Sequence, residues 1–261
     1  MRLIDYVHQI SSLGRCYFTS EEAEHALKLT RKALNMSLLR LKQKGLLASP
    51  AKQFYLIIPP EYASLGCLPP EQFIPHLMKY WKLPYYVCLL SAAEYYGSGH
   101  QRSQNFQVMT IRNKPDIQCG QINIRFIKRK NWDEVFVKQF NTPRSIVSVS
   151  TPEVTAMDLI NYPWQSGGFH HITTVLSELF ETINAQEIIN LAKKSKQHTW
   201  IQRIAYILKT IGDDQLSKKL FKTLKNKKLQ YIPLNPYLPK GNCPKDTELK
   251  VVINMILESD V

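Results

Sequence analysis

A chain of 261 residues, 44% apolar and 10% aromatic, holds enough hydrophobic material for one large domain or two ordinary ones, which excludes a wholly disordered protein. Its 34 Lys and Arg against 21 Asp and Glu leave a net charge of +13, which favours acidic partners: nucleic acid, an anionic membrane surface or an acidic protein. No run reaches the ~18 apolar residues of a membrane span, and MRLIDYVHQISSLGR is polar too early for an export signal, so the expectation is a cytoplasmic protein.

Leu3, Ile4, Val7 and Ile10 recur at helical spacing and predict a first helix within residues 2–12, stopped by Gly14. In YFTSEEAEHAL, Thr19 and Glu22 form a T-x-x-E capping box, which predicts a second helix over about residues 20–28. Leu29 and Thr30 remain as a tight connection to TRKALNMSLLRLKQKG, where Leu34, Leu38 and Leu41 fall on one buried stripe and Gly45 ends the helix. LLASPAKQFYLIIPP then reads as a strand, a polar tip at 49–53 and a second strand at 54–58. Three helices and a β-hairpin within residues 1–60 make a winged helix-turn-helix.

The Pro-rich PPEYASLGCLPPEQF supplies a linker at 61–72, followed by a second domain at 73–261. There, helices are predicted at about 73–81 and 87–96, strands in NFQVMTIR, INIRFIKR and SIVSVS, a helix at 152–160, further helices between 170 and 225, and a closing strand in ELKVVINMIL. The fold class is α+β: an N-terminal winged helix-turn-helix domain followed by a larger mixed α/β C-terminal domain.

Charge concentrates in two places. Residues 1–60 hold nine Lys or Arg against four acids, and residues 190–228 hold eleven against two. In the first region Arg31, Lys32, Asn35 and Arg40 face away from the leucine stripe of the third helix. Arg and Lys donate to guanine N7/O6 or to phosphates, Asn pairs with adenine, and Met36 or Leu39 suits a thymine methyl. Lys52 and Gln53 at the hairpin tip are placed for a phosphate or minor-groove contact. Neutralising about five to seven phosphates gives a log–log salt slope of about −5 to −6. The alternative is a solvated basic face on a winged helix that serves as a protein-interaction module.

In the second region the lysines alternate with Ile201, Ile204, Ile207, Leu208, Leu216, Leu220 and Leu224, so amphipathic helices are expected between Lys193 and Lys228. Their basic faces fit plain solvation, a second nucleic-acid surface or membrane association, the last without a lipidation motif. Cys16, Cys67, Cys88, Cys119 and Cys243 are odd in number and widely spaced, and read as reduced, mostly buried residues. No catalytic set emerges. GSGH at 97–100 resembles the Gly-Ser turn of nucleotidyltransferases, but NFQVMTIR lacks the paired carboxylates that would hold Mg²⁺. The adjacent histidines of GGFHH diverge, and Asp158 on an apolar helix reads as structural. No enzyme, metal site or cofactor is expected.

The order of RLKQKGLLASPAKQFYLIIPPEY, YYVCLLSAAEYYG, two strands, VSVSTPEVTAMDLI and a late LNPYLPKGN…ELKVVIN resembles the AbiEi family, the antitoxins and transcriptional regulators of type IV toxin–antitoxin systems. The likeness spans nearly the whole chain, except for the stretch from Trp164 to His171 and the lysine-rich 193–228. It implies a winged helix that binds operator repeats of its own operon in double-stranded DNA. It also implies a C-terminal domain that opposes an AbiEii-like nucleotidyltransferase toxin without a stable complex. The rival reading is a winged-helix regulator with no toxin partner, whose C-terminal domain senses a ligand or oligomerises.

Overall fold

In the computed structural model, which describes residues 1–99, 103–132 and 135–257, α1 (Leu3–Ser12) buries Leu3, Tyr6, Val7 and Ile10. A strand that the sequence hides follows at once, β1 (Tyr17–Thr19). It is too short to show alternation, and its strand character comes from the partner that pairs with it. Thr19 then caps α2 (Ser20–Leu27): its hydroxyl accepts from the Glu22 amide at 3.2 Å, and the Glu22 carboxylate accepts from the Thr19 amide at 2.7 Å. Lys28, at φ 53°, closes α2, and Thr30 caps α3 (Arg31–Gln43) through the Ala33 amide.

β2 (Leu47–Ala51) and β3 (Phe54–Ile57) form the hairpin, and β1 adds to it antiparallel, with sheet order β1-β3-β2 and Phe18 opposite Tyr55. Side chains alternate across β3. Ile57 joins Phe18, Leu34, Leu38 and Leu41 in the helical core, while Phe54 and Leu56 enter a second core on the other face. A sheet covered on both faces accounts for the unbroken apolar run FYLII.

That second core draws on the stretch expected to be a linker. Residues 61–72 begin inside a 3₁₀ turn, Pro60–Tyr62, and end inside α4 (Pro70–Tyr80); between them Cys67 and Leu68 are fully buried beside Phe73, Ile74, Leu77 and Met78. The proline spacing reflects a tight turn and an N1 proline rather than an extended tether. β4 (Tyr85–Val87), β5 (Phe106–Thr110), β6 (Ile117–Cys119), β7 (Ile122–Lys128), β8 (Val137–Asn141) and β9 (Ile146–Ser150) form a six-stranded sheet of order β6-β7-β5-β4-β9-β8. Gly120, at φ +57°, turns β6 into β7 directly against Leu65 and Gly66, where a Cβ would collide with the Leu65 carbonyl oxygen. Together these elements make one compact unit, Met1–Val87 with Ser103–Lys130 and Lys138–Val149.

The second unit comprises Cys88–Arg102, Asn131–Val137 and Ser150–Val261. The helix expected at 87–96 gives its first residue to β4; what remains is α5 (Leu89–Ala93) and a 3₁₀ turn, Glu94–Tyr96, closed by Gly97 at φ +76°. α6 (Pro152–Asn161) is buried from Pro152 to Ile160 and lies at the centre of the unit. It is surrounded by α5, α7 (Phe169–Phe180), α8 (Ala185–Lys194) and α9 (Thr199–Thr210), and α10 (Asp214–Lys222) packs on α8 and α9. β10 (Ile232–Pro233), β11 (Lys245–Asp246) and β12 (Val251–Val252) complete it, with order β10-β12-β11. The closing strand expected in ELKVVINMIL is therefore only two residues long. Lys250, at φ 55°, breaks it on one side, and on the other the Asn254 side chain turns to the carbonyls of Asn235 and Leu238.

Candidate nucleic-acid interface

α2 and α3 with the short turn between them, backed by α1 and fronted by the β2–β3 hairpin, form a winged helix. Leu34, Leu38 and Leu41 anchor α3, which forces the intervening positions outward. Lys32, Asn35 and Arg40 are exposed, and so are Met36 and Leu39, at 51% and 48% of their surface. Long apolar side chains at such exposure between cations suit a groove that offers both methyl groups and hydrogen-bonding edges. Arg40 and Lys42 also sit in the last helical turn, where they complement the helix dipole.

Arg31 stands apart. Its Nη1 donates to Glu24 Oε1 on α2 at 2.6 Å, so in the free protein this guanidinium is engaged by a carboxylate. Sequence spacing did not reveal that pairing, because the partner lies across the turn.

The wing is tighter than the five-residue tip read from sequence: Ala51 pairs with Phe54, leaving Lys52 and Gln53 as the loop. Gln53 takes a left-handed φ of 64° and is half-buried, while Lys52 is exposed. Both backbone carbonyls at the tip are held. Gln53 O accepts from the Ser20 amide at 3.0 Å, and Lys52 O accepts from the Tyr80 hydroxyl at 3.4 Å. Beside the tip an open groove of about 870 Å³ is lined by Lys52, Gln53, Tyr80, Trp81, Lys114 and Gln118 among others. Lys114 Nζ sits 4.2 Å from the centroid of the Trp81 ring. Tyr80, Trp81 and Lys114 carry no signal in the sequence, because only the fold brings them to the wing.

The six candidate contacts thus fall into three situations: Lys32, Asn35 and Arg40 point outward together from α3, Arg31 is held by Glu24, and Lys52 and Gln53 occupy a braced wing tip.

The lysine-rich region is amphipathic. Ile201, Ile204, Ile207, Leu208, Leu216, Leu220 and Leu224 are buried, and Lys193, Lys194, Lys196, Lys218, Lys219, Lys222, Lys225, Lys227 and Lys228 are exposed. At GSGH, Gly97 closes the 3₁₀ turn and the Gly99 amide donates to Glu178 Oε2 at 2.6 Å; His100 lies outside the described residues. His170 and His171 begin α7, and Asp158 is buried on α6. Cys16, Cys67, Cys88 and Cys119 are buried and in no disulfide, and Cys243 is half-buried. No helix among the described residues is long and apolar enough to cross a membrane.

Residues 85–210, from the start of β4 to the end of α9, match the family model described as the AbiEi antitoxin C-terminal domain. Among solved structures, the chain is similar to the Rv2827c protein from Mycobacterium tuberculosis, with a TM-score of 0.70 and 14% identity over 94% of this chain and 89% of that one. That likeness is one of fold. No curated protein sequence matches the chain.

Proposed function

With residues 85–210 matching an AbiEi antitoxin C-terminal domain, we propose that this cytoplasmic chain is the antitoxin of a type IV toxin–antitoxin system and also the repressor of its own operon. The winged helix at 1–60 binds repeats in operator DNA, and the remainder of the chain, which holds the matched residues 85–210, counteracts a nucleotidyltransferase-type toxin without forming a stable complex. The observation that carries the DNA-binding half is the outward face of α3, where Lys32, Asn35, Met36, Leu39 and Arg40 are all exposed while Leu34, Leu38 and Leu41 hold the helix from behind. Lys32 and Arg40 reach base edges or phosphates, Asn35 reads adenine, and Arg31 joins them on exchanging Glu24 for a phosphate. Lys52 and Gln53 touch the flanking backbone or minor groove.

The test is a fluorescence-anisotropy titration of the protein against DNA from upstream of its own gene and against a scrambled duplex, at several salt concentrations. A preference of ~10³-fold or more for its own DNA, with a salt slope of about −5 to −6, is the expected result. The triple substitution R31A/K32A/R40A should abolish that preference and leave the fold intact, since all three side chains are exposed. Retained operator affinity in the triple variant sinks the assignment. Neutralisation is read separately, as rescue of growth on co-expression with the toxin encoded next to this gene.

A further inference from the structure

The groove beside the wing tip is lined by three parts of the first unit: Lys52 and Gln53 of the β2–β3 tip, Tyr80 and Trp81 at the C-terminal end of α4, and the segment from Lys114 to Gln118. The last of these reaches the wing because β6, the edge strand of the six-stranded sheet, packs beside β2. Lys114 leads into β6, and Pro115 after it restricts its backbone.

The cations lie in the groove itself. Lys52 is exposed and Lys114 half-buried, and among the described residues neither is paired with a carboxylate. The acid of the lining, Asp116, is already engaged: its Oδ1 accepts from the Phe126 amide at 3.1 Å, and its Oδ2 lies 3.6 Å from Arg125 Nε. Gln118 is exposed and adds hydrogen-bond donors. An anion in the groove therefore meets two ammonium groups that no carboxylate holds.

The aromatic residues act as supports. Lys114 Nζ sits 4.2 Å from the centroid of the Trp81 ring, which packs on Phe126 at 5.5 Å; Tyr80 packs on Phe54 at 5.4 Å and its hydroxyl donates to Lys52 O at 3.4 Å. With a lysine seated on it, Trp81 holds a cation in place instead of offering that face to a base. The groove is open over its 870 Å³ and does not enclose a small molecule as a ligand cavity does, so its shape suits a polymer laid along it.

We propose that this groove takes the sugar–phosphate backbone of the operator duplex beyond the base pairs that α3 reads, with Lys52 and Lys114 each on a phosphate and Gln118 donating to a backbone oxygen. The groove is continuous with the wing, since Lys52 and Gln53 belong to both, and a duplex seated on the wing meets these cations next. The inference rests on the DNA-binding reading of α3 and adds its own residues to it. Lys114 and Gln118 fall within residues 85–210, so the stretch matched to the antitoxin C-terminal domain takes a share in holding DNA. Phosphate contacts position a duplex without reading its sequence, so the groove contributes affinity and footprint length rather than specificity.

The test uses the full chain, anisotropy titrations against operator and scrambled duplexes over a range of salt, and a series of operator duplexes shortened from each end. K114A should bind both full-length duplexes more weakly by the same factor, keep the operator preference, and flatten the salt slope by about 0.9. The wild-type advantage over K114A should therefore shrink about 3- to 4-fold between about 50 and 200 mM salt. K114R, which keeps the charge, should restore the slope; K52A should flatten it equally without touching Trp81, which separates a lost contact from a disturbed fold. Shortening the duplex should erase the difference between wild type and K114A, because the phosphates that Lys114 holds are then gone. A wild type that prefers operator while K114A matches it in affinity and slope overturns this inference alone. So does a K114A effect that persists on the shortest duplex, or one confined to oligo(dT) or a free nucleotide. A wild type that binds no duplex overturns the α3 reading as well.

Discussion

Replacing Glu24 by Ala should make this protein bind duplex DNA more tightly. Glu24 on α2 holds the Arg31 guanidinium at 2.6 Å, and the two side chains keep 27% and 47% of their surface in solvent. A pair so exposed contributes about 0–1 kcal/mol to folding, so thermal stability should barely move. Binding is affected differently, because the carboxylate both occupies a cation at the N-terminus of α3 and repels an approaching phosphate. Without Glu24, Arg31 meets its phosphate without first giving up a carboxylate, so the ~0–1 kcal/mol of the broken pair returns as affinity. That corresponds to a gain of up to about fivefold. The assay is anisotropy against operator and scrambled duplexes from low to high salt, for E24A, R31A and the double variant. The gain should vanish in the R31A background, because the cycle isolates the coupling between the two side chains. An E24A affinity no tighter than wild type, or an equal gain with and without Arg31, refutes the reasoning.

Leu34 is fully buried under α3, so L34A should destabilise the first unit by about 2–5 kcal/mol, read as a lowered melting transition. G120A should also destabilise it, by about 1–3 kcal/mol from the positive φ alone and by more from collision with Leu65 O, and its melting transition tests the close approach of the two loops. His76 stacks on Tyr17 at 4.6 Å with Nε2 against the Arg144 carbonyl at 3.3 Å, and burial pulls its pKa below 6.5. The unfolded chain therefore takes up the proton first as pH falls, and stability should decline from about pH 6.5 down to the folded-state value; H76F should flatten that slope in thermal melts across pH.

The features legible from sequence were those written in consecutive residues. The Thr19–Glu22 box and the Leu34, Leu38, Leu41 stripe place α2 and α3 closely, because capping and amphipathicity are local. β1 escaped because three residues cannot show a period, and its pairing with Tyr55 and Leu56 is a tertiary fact. Prolines at 59, 60, 69 and 70 suggested a linker, yet Cys67 and Leu68 between them are core residues, which only the neighbouring Phe73 and Leu77 could disclose. At the site, the outward direction of Lys32, Asn35 and Arg40 followed from the stripe, whereas the grip of Glu24 on Arg31 and of Tyr80 on the wing depends on residues met across turns. Trp81 and Lys114 are far apart in the chain, and neither carries a motif that points to the other.

A hairpin whose two tip carbonyls are already spoken for, by Ser20 and by Tyr80, has little freedom to mould itself to a ligand. On the proposed DNA-binding reading, a duplex that reaches the wing meets a fixed shape, so the adjustment falls on the DNA. Sites whose groove width fits the wing bind without distortion, while stiffer or wider ones must deform. Selectivity then extends to base pairs that no side chain touches.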